Sequence, residues 1–272
     1  MKKTLLLLLM AIGCAAALPA CGSLPAAPLG QSAEESGAGY TLSQQVYQEE
    51  CWNADRSHLL GKYSFTLPEM TGSGAAAAAA DVFNEGVGTM LADEQAHWEG
   101  AMQDAKSYYY SMGSDSWSST SAWVMEIQYE TVETENLISL RYEHYVYSGG
   151  AHGYTYYTYQ LFALQEGCFV SLQEMADDPA ALQSAVAEEI LRQIDAGDLA
   201  REYAYWSDYE TYVRHWMEDY SVLFCEDGAM EIIFPAYDLA SYAAGPQTFR
   251  IDRSVYEGCL NDYGKVLLGI PL

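Results

Sequence analysis

Basic residues are scarce in this chain, with 12 Lys and Arg against 38 Asp and Glu in 272 residues and a formal net charge of −26. A phosphate backbone needs a basic counterface, so nucleic-acid binding is excluded, and with it electrostatic adsorption to an anionic membrane surface. Beyond the first twenty residues no apolar run approaches the roughly 18 residues that a membrane-crossing helix requires. Histidine is also sparse: His58, His97, His144, His152 and His215 form no H-x-x-x-H or H-E-x-x-H pair, so no metal-hydrolase ligand set is visible. There is no G-x-S-x-G elbow, no Gly-rich phosphate loop with a following Lys and no paired C-x-x-C. Nucleophilic and metal-assisted catalysis therefore lack support, and no cofactor or metal is expected.

What is present begins at the N-terminus. Lys2 and Lys3 precede an apolar core of Leu5 to Leu9 with Met10, Ala11 and Ile12, followed by Ala15, Ala16 and Ala17, the pattern of a signal peptide. Leu18-Pro19-Ala20-Cys21 resembles a lipobox, in which the cysteine thiol takes a diacylglyceryl group and becomes the first mature residue. Pro19 departs from the usual small or hydroxyl residue there. Cys14 is a rival anchor that leaves an unusually short apolar core, and an ordinary secretory leader with an incidental cysteine is the plainer alternative. The expected division is therefore a leader at 1–20 and a lipidated, low-complexity tether at 21–39, holding the protein on the extracytoplasmic face of the cell membrane. Loss of Lys2 and Lys3 takes the net charge from −26 to −28. Such a field accelerates encounter with cationic partners, although solubility alone accounts for it equally well.

Four cysteines follow the leader, Cys51, Cys168, Cys225 and Cys259. An even number in an exported chain permits two disulfides in any of three connectivities.

Hydrophobic periodicity predicts strands at Tyr40 to Trp52 and Tyr63 to Leu67, the second closed by Pro68. A helix is predicted from about Ala75 through Phe83, Val87, Met90 and Leu91, weakened by Gly86 and Gly88. The Ser-, Gly- and Asp-rich stretch from Ser111 to Ser121 reads as a boundary between modules at 40–115 and 120–272. Trp123 to Tyr129, Leu137 to Tyr147 and Tyr154 to Ala163 alternate as an antiparallel meander, and Cys168 to Leu172 suits a further short strand. Pro179 opens a helix carrying Leu182, Val186, Ile190, Leu191 and Ile194 that Gly197 ends. A helix at Tyr209 to Met217, strands at Met230 to Phe234 and Thr248 to Ile251, and a short helix at Ser254 to Asn261 complete the reading. Strands followed by a helix, twice over, predict an α+β fold of two small modules, antiparallel meanders packed with helices.

Two segments then carry a family resemblance. Tyr147-Ser148-Gly149-Gly150-Ala151-His152-Gly153 resembles the Tyr-x-Gly-Gly-Ala-His signature of the extracellular module of RsiV- and PdaC-like proteins, domain-of-unknown-function family 3298. Phe234-Pro235-Ala236-Tyr237-Asp238-Leu239-Ala240-Ser241-Tyr242-Ala243-Ala244-Gly245-Pro246 resembles the closing motif of the same family. Leu67-Pro68, the Gly-rich turn and Asn84 are similar to the partner module, family 4163. The resemblance implies a binding module, which in RsiV is a receptor for lysozyme and in PdaC accompanies a separate metal-dependent catalytic domain. Neither the membrane helix and cytoplasmic segment of the one nor the catalytic domain of the other is visible in this sequence, so the expectation is a non-catalytic surface lipoprotein that binds a cationic wall-active protein such as lysozyme.

The candidate binding residues are Tyr147, Gly149, Gly150, His152, Tyr154 and Tyr156, with Cys21 as the lipidation site. Glycines around His152 permit a tight strand connection in which the imidazole satisfies backbone groups, set against a ligand role for the ring. Tyr142, Tyr145, Tyr147, Tyr154, Tyr156, Tyr157 and Tyr159 offer a contact face. Strand alternation lets at most half point the same way. A glycan-binding module using exposed tyrosines, and an enzyme with an unrecognised site, are the competing readings.

Overall fold

The computed structural model describes residues 34–35, 39–216 and 222–272. The leader, Cys14 and Cys21 lie outside them. Among the described residues, no helix is long and apolar enough to cross a membrane.

Residues 34–35 form a short edge strand, β1 (Glu34–Glu35), beside β2 (Tyr40–Trp52), which pairs antiparallel with β3 (Leu59–Gly72). β3 runs through Pro68, contrary to the expectation that the proline closes it. The reason lies in which side of β3 has a neighbour. The next strand pairs with β3 only from Gly61 to Phe65, so beyond that point β3 has a free side. Met70, two residues on from Pro68, turns its backbone groups to that side, where Asn84 takes both: the Met70 N–H donates to Asn84 Oδ1 (2.9 Å) and Asn84 Nδ2 donates to the Met70 carbonyl (2.8 Å). Residues two apart along a strand present their backbone groups to the same side, so the missing N–H of Pro68 falls where no ladder exists.

Asn84 sits on α1 (Ala76–Met112), a single helix of 37 residues, about 55 Å long at 1.5 Å per residue. Its buried stripe is Ala80, Phe83, Val87, Glu94, Trp98, Met102, Ala105 and Tyr109. The glycines do not interrupt it. A Cβ on Gly86 would lie 2.3 Å from the Phe169 ring, whereas a Cβ on Gly88 would meet nothing within 4 Å. Gly86→Ala is therefore expected to destabilise by about 1–3 kcal/mol through overpacking, and Gly88→Ala to stabilise by up to about 1 kcal/mol through helix propensity. Urea denaturation of the two variants checks the opposite signs.

After α1 the chain passes through two short 3₁₀ turns, Ser114–Ser116 and Ser119–Ser121, into β4 (Trp123–Glu133), which lies parallel to β3. One β-α-β crossover is thus built into an otherwise antiparallel sheet, and the sheet runs across the 115–120 stretch where the sequence places a module boundary. β5 (Leu137–Tyr147), β6 (Tyr154–Ala163) and β7 (Cys168–Val170) continue it, giving seven strands in sequence order. The last of these is shorter than the expected run to Leu172.

The first half of β5 and the Leu161–Ala163 end of β6 are buried on both faces, which explains their apolar density. Ile138, Leu140, Tyr142 and Phe162 pack under α1, while Leu137, Leu161 and Ala163 pack into a second core. That core is closed by α2 (Pro179–Gly197), α3 (Leu199–Glu202), α4 (Tyr209–Trp216), α5 (Arg253–Tyr256), α6 (Asp262–Leu267) and a three-stranded sheet. The sheet has the order β10-β9-β8, from β8 (Leu223–Phe224), β9 (Met230–Phe234) and β10 (Gln247–Ile251). Ser139 Oγ accepts from the buried Phe224 N–H (2.9 Å), tying β5 to β8. The α+β class is as read from the sequence. Two terminations differ. α2 is stopped by Asp198, in the left-handed conformation at φ 53°, and not by Gly197. The C-terminal helix predicted at Ser254 to Asn261 is α5 followed by a 3₁₀ turn, Glu257–Cys259, and α6 lies beyond it, capped by Asn261, which accepts from Gly264 N–H (2.8 Å).

Cys168, Cys225 and Cys259 are free thiols, so the two-disulfide arrangement that the even count permits is not formed.

Candidate functional site

The connection from β5 to β6, residues 148–153, is shaped by its glycines. Gly149 and Gly150 both take φ 95°, a region closed to side chains carrying a Cβ. Tyr147 Oη donates to the Gly150 carbonyl (3.0 Å) and so pins the turn. Gly153 leaves room for the Tyr145 ring, whose atoms would lie 2.5 Å from any Cβ there.

His152 is presented by this turn at the protein surface. Its Nδ1 lies 3.0 Å from the Gly153 carbonyl, which can only accept, so Nδ1 carries the proton. Nε2 is then the acceptor for the Tyr237 hydroxyl at 3.0 Å. The imidazole also stacks on Tyr242, with centroids 3.7 Å apart and planes 12° from parallel. Both ring nitrogens are thereby committed, leaving neither for a substrate proton or a metal in this arrangement. Among the described residues no three His, Cys, Asp or Glu side chains converge in a way that would hold a metal ion.

Tyr237 is itself held in an uncommon backbone conformation, φ 79°. Three contacts fix it: its hydroxyl on His152, its carbonyl accepting from Trp206 Nε1 (3.0 Å), and the following Asp238 N–H donating to Pro235 (3.2 Å). Strained non-glycine residues cluster at functional sites because something must over-determine them. Trp206 is anchored in turn by its own N–H to the Leu239 carbonyl (2.8 Å). Burial pushes the neighbouring Asp238 carboxyl up to about 6, opposed by a hydrogen bond from Tyr212. The Tyr154 hydroxyl is raised by burial and by the charge of Asp238.

The result is an aromatic end to the molecule in which Tyr154, Trp206, Tyr237 and Tyr242 are exposed by 41, 42, 47 and 40%. Of the residues expected at the site, the structure brings Tyr147, Gly149, Gly150 and His152 together in the turn, with Tyr154 at its rim. Tyr156 stands one step further along the strand, stacked on Tyr154 with centroids 6.2 Å apart. It lies on the α1 side of β6, stacked on His144 at 4.5 Å, and its hydroxyl is pushed up to about 12 by burial and then by Glu94. Trp206, Tyr237 and Tyr242 join the site from outside the expected binding residues. The last two stand inside the quoted closing motif, and Trp206 has no sequence signal beyond an aromatic in a polar stretch.

This end is an aromatic surface on a two-core α+β scaffold. Comparison with known proteins agrees on the scaffold. Residues 60–155 match the family described as Deacetylase PdaC, and residues 175–254 match the Protein of unknown function (DUF3298) family. The chain carries both family segments. His152 falls in the first and Tyr237 and Tyr242 in the second, so the hydrogen bond and stack at the aromatic end join the two. The Tyr147–Gly153 signature, expected in family 3298, thus lies at the end of the PdaC match. A crystal structure of a DUF3298 family member from Bacteroides fragilis superposes with a TM-score of 0.61 at 15% identity, covering 84% of this chain and 96% of that one. A DUF3298 family protein from Pseudomonas aeruginosa gives 0.53 at 14%, covering 83% and 97%. At these identities the likeness is one of fold. No match is found among curated proteins.

Proposed function

We propose that this is a surface lipoprotein, anchored through Cys21 on the extracytoplasmic face of the membrane, whose folded part binds a cationic wall-active protein without catalysing a reaction. The observation that carries the reading is the cluster of exposed aromatic side chains around His152 in a chain of net charge −26. Tyrosine and tryptophan give large contact area at low entropic cost, and their faces attract Lys and Arg. The strain at Tyr237 supports a site held ready for a partner. The closed hydrogen bonding of His152 favours binding over proton transfer.

Lysozyme is the first partner to test. Cys21→Ser is expected to free the protein from the membrane fraction and to provide the soluble reagent. Calorimetry with lysozyme at low salt should give a complex that weakens as salt rises. Trp206→Ala and Tyr242→Ala should each cost about 2 kcal/mol, roughly 30-fold in affinity. Absence of binding at low salt ends the lysozyme assignment. Sedimentation with purified peptidoglycan that survives high salt and is lost in the same variants would favour the glycan-binding reading.

A further inference from the structure

The strand β6 leaves an edge that nothing among the described residues pairs with. β5 lies against its whole length, from Tyr154 to Ala163, but on the other side β7 covers only Leu161, Phe162 and Ala163. Tyr154 to Gln160 therefore presents seven residues of strand with one row of backbone donors and acceptors open.

Open edges are templates for strand pairing, and proteins normally blunt them with charge, proline, glycine or bulges. Tyr-Thr-Tyr-Tyr-Thr-Tyr-Gln contains none of these, and its register with β5 is unbroken. Every residue but the glutamine is a strong strand former. The outer strand at the opposite side of the sheet differs on each point: β2 carries Glu49 and Glu50, has a register shift at Cys51 and Trp52, and is partly covered by β1.

We propose that this edge is a self-association surface, through which two copies of the chain pair β6 antiparallel about a two-fold axis at Tyr157. Three features single out a second copy as the occupant. An antiparallel pair about a two-fold places one residue opposite itself and keeps each face continuous across the seam. With Tyr157 at the axis, Tyr156 meets Thr158 of the partner subunit, Thr155 meets Tyr159 of the partner subunit and Tyr154 meets Gln160 of the partner subunit. Both open stretches are then filled from end to end, each stopping where β7 begins. The opposed pairs are aromatic with β-branched or polar residues, which is favourable, and no like charges face each other. Glu143, one strand inward and opposite Tyr157, would lie about 14 Å from its counterpart, three strand spacings apart and beyond the screening length of about 8 Å at physiological ionic strength. The union makes one continuous fourteen-stranded sheet from two seven-stranded ones.

The net charge of −26 on each copy opposes this pairing from a distance, so the dimer is expected to strengthen as salt rises. Binding of a cationic protein does the reverse, which keeps this proposal separable from the function proposed above. Sedimentation velocity of the purified protein at low and high salt should show a dimer whose share grows with salt. Tyr157→Cys should cross-link into a reducible dimer well above the background of the parent chain, whose own thiols set the baseline, while Thr155→Cys should not. Thr155→Lys, placed opposite Tyr159 of the partner subunit, should weaken association about tenfold or more with the thermal midpoint and circular dichroism unchanged. A monomer at every salt concentration, a dimer that dissolves with salt, or cross-linking at Thr155 equal to that at Tyr157 would each overturn the proposal.

Discussion

Replacing Asn84 with alanine is expected to destabilise the protein by about 2–4 kcal/mol, the cost of leaving a buried backbone N–H and a buried carbonyl without partners. Met70, whose two groups Asn84 satisfies, is 2% exposed. The sign is what makes the test decisive. On an exposed helix surface Asn→Ala stabilises, because alanine has the higher helix propensity. A loss at this position therefore reports the bond to β3 and nothing else on α1. Asn84→Asp should also be destabilising, since it keeps one acceptor but sets a carboxylate oxygen against the Met70 carbonyl. Urea midpoints and a fall in melting temperature of about 2–4 °C per kcal/mol for a chain of this size would measure it. An alanine variant as stable as the parent would remove Asn84 from any structural role. The side chain acts as a two-atom strand, completing β3 on the side where β4 has ended and where Pro68 has no N–H to give.

That arrangement also marks a limit of what local sequence encodes. The alternation in Tyr40–Trp52 is enough to bound β2, because a half-buried strand writes its pattern locally. Pro68 reads as a strand end because the rule about proline concerns a missing donor, and whether a donor is needed depends on a neighbour that only the fold supplies. The second half of α1 is hidden although Trp98, Met102, Ala105 and Tyr109 recur at helical spacing. Glu94 occupies a stripe position and makes the segment look polar, yet it is buried because His144 comes to it from β5. α6 is hidden because Gly264 looks like a helix breaker. In the fold the Met175 carbonyl would lie 2.3 Å from a Cβ there, so only glycine fits. At the candidate site, the motif residues around His152 are legible. Their meeting with Tyr237 spans 85 positions along the chain, and no local signal encodes that.

His144→Leu is expected to be more damaging still than the loss of Asn84, at about 3–5 kcal/mol near neutral pH, because it strands a carboxylate in the interior. Glu94 is 7% and His144 3% exposed, with Nδ1 3.3 Å from Oε1, and His144 is held on its other side by Thr158 Oγ1 at 2.8 Å. Burial pushes the Glu94 carboxyl up, but the hydrogen bond and charge of His144, helped by His97, outweigh it and leave the group below its ordinary value. A depressed carboxylate contributes stability that is fully present above its unfolded pKa and is lost as pH falls through the folded one. Without His144 the burial remains and its main counterweight is gone, since His97 is a surface residue 3.6 Å away. The Glu94 pKa should then rise above the ordinary carboxylate value. Its linkage changes sign: the variant is penalised most at neutral pH and recovers as the carboxyl is protonated on the way down to about pH 5. Glu94→Gln breaks the same pair from the other side at a cost of only about 1–2 kcal/mol, because the amide is neutral and leaves no buried carboxylate behind. Urea denaturation of both variants and the parent, at neutral pH and at about pH 5, separates the two cases. The gap between His144→Leu and the parent should narrow toward acid. A gap that is constant or widens, or a Glu94→Gln loss as large as that of His144→Leu, would show that the interior does not hold Glu94 as a charge.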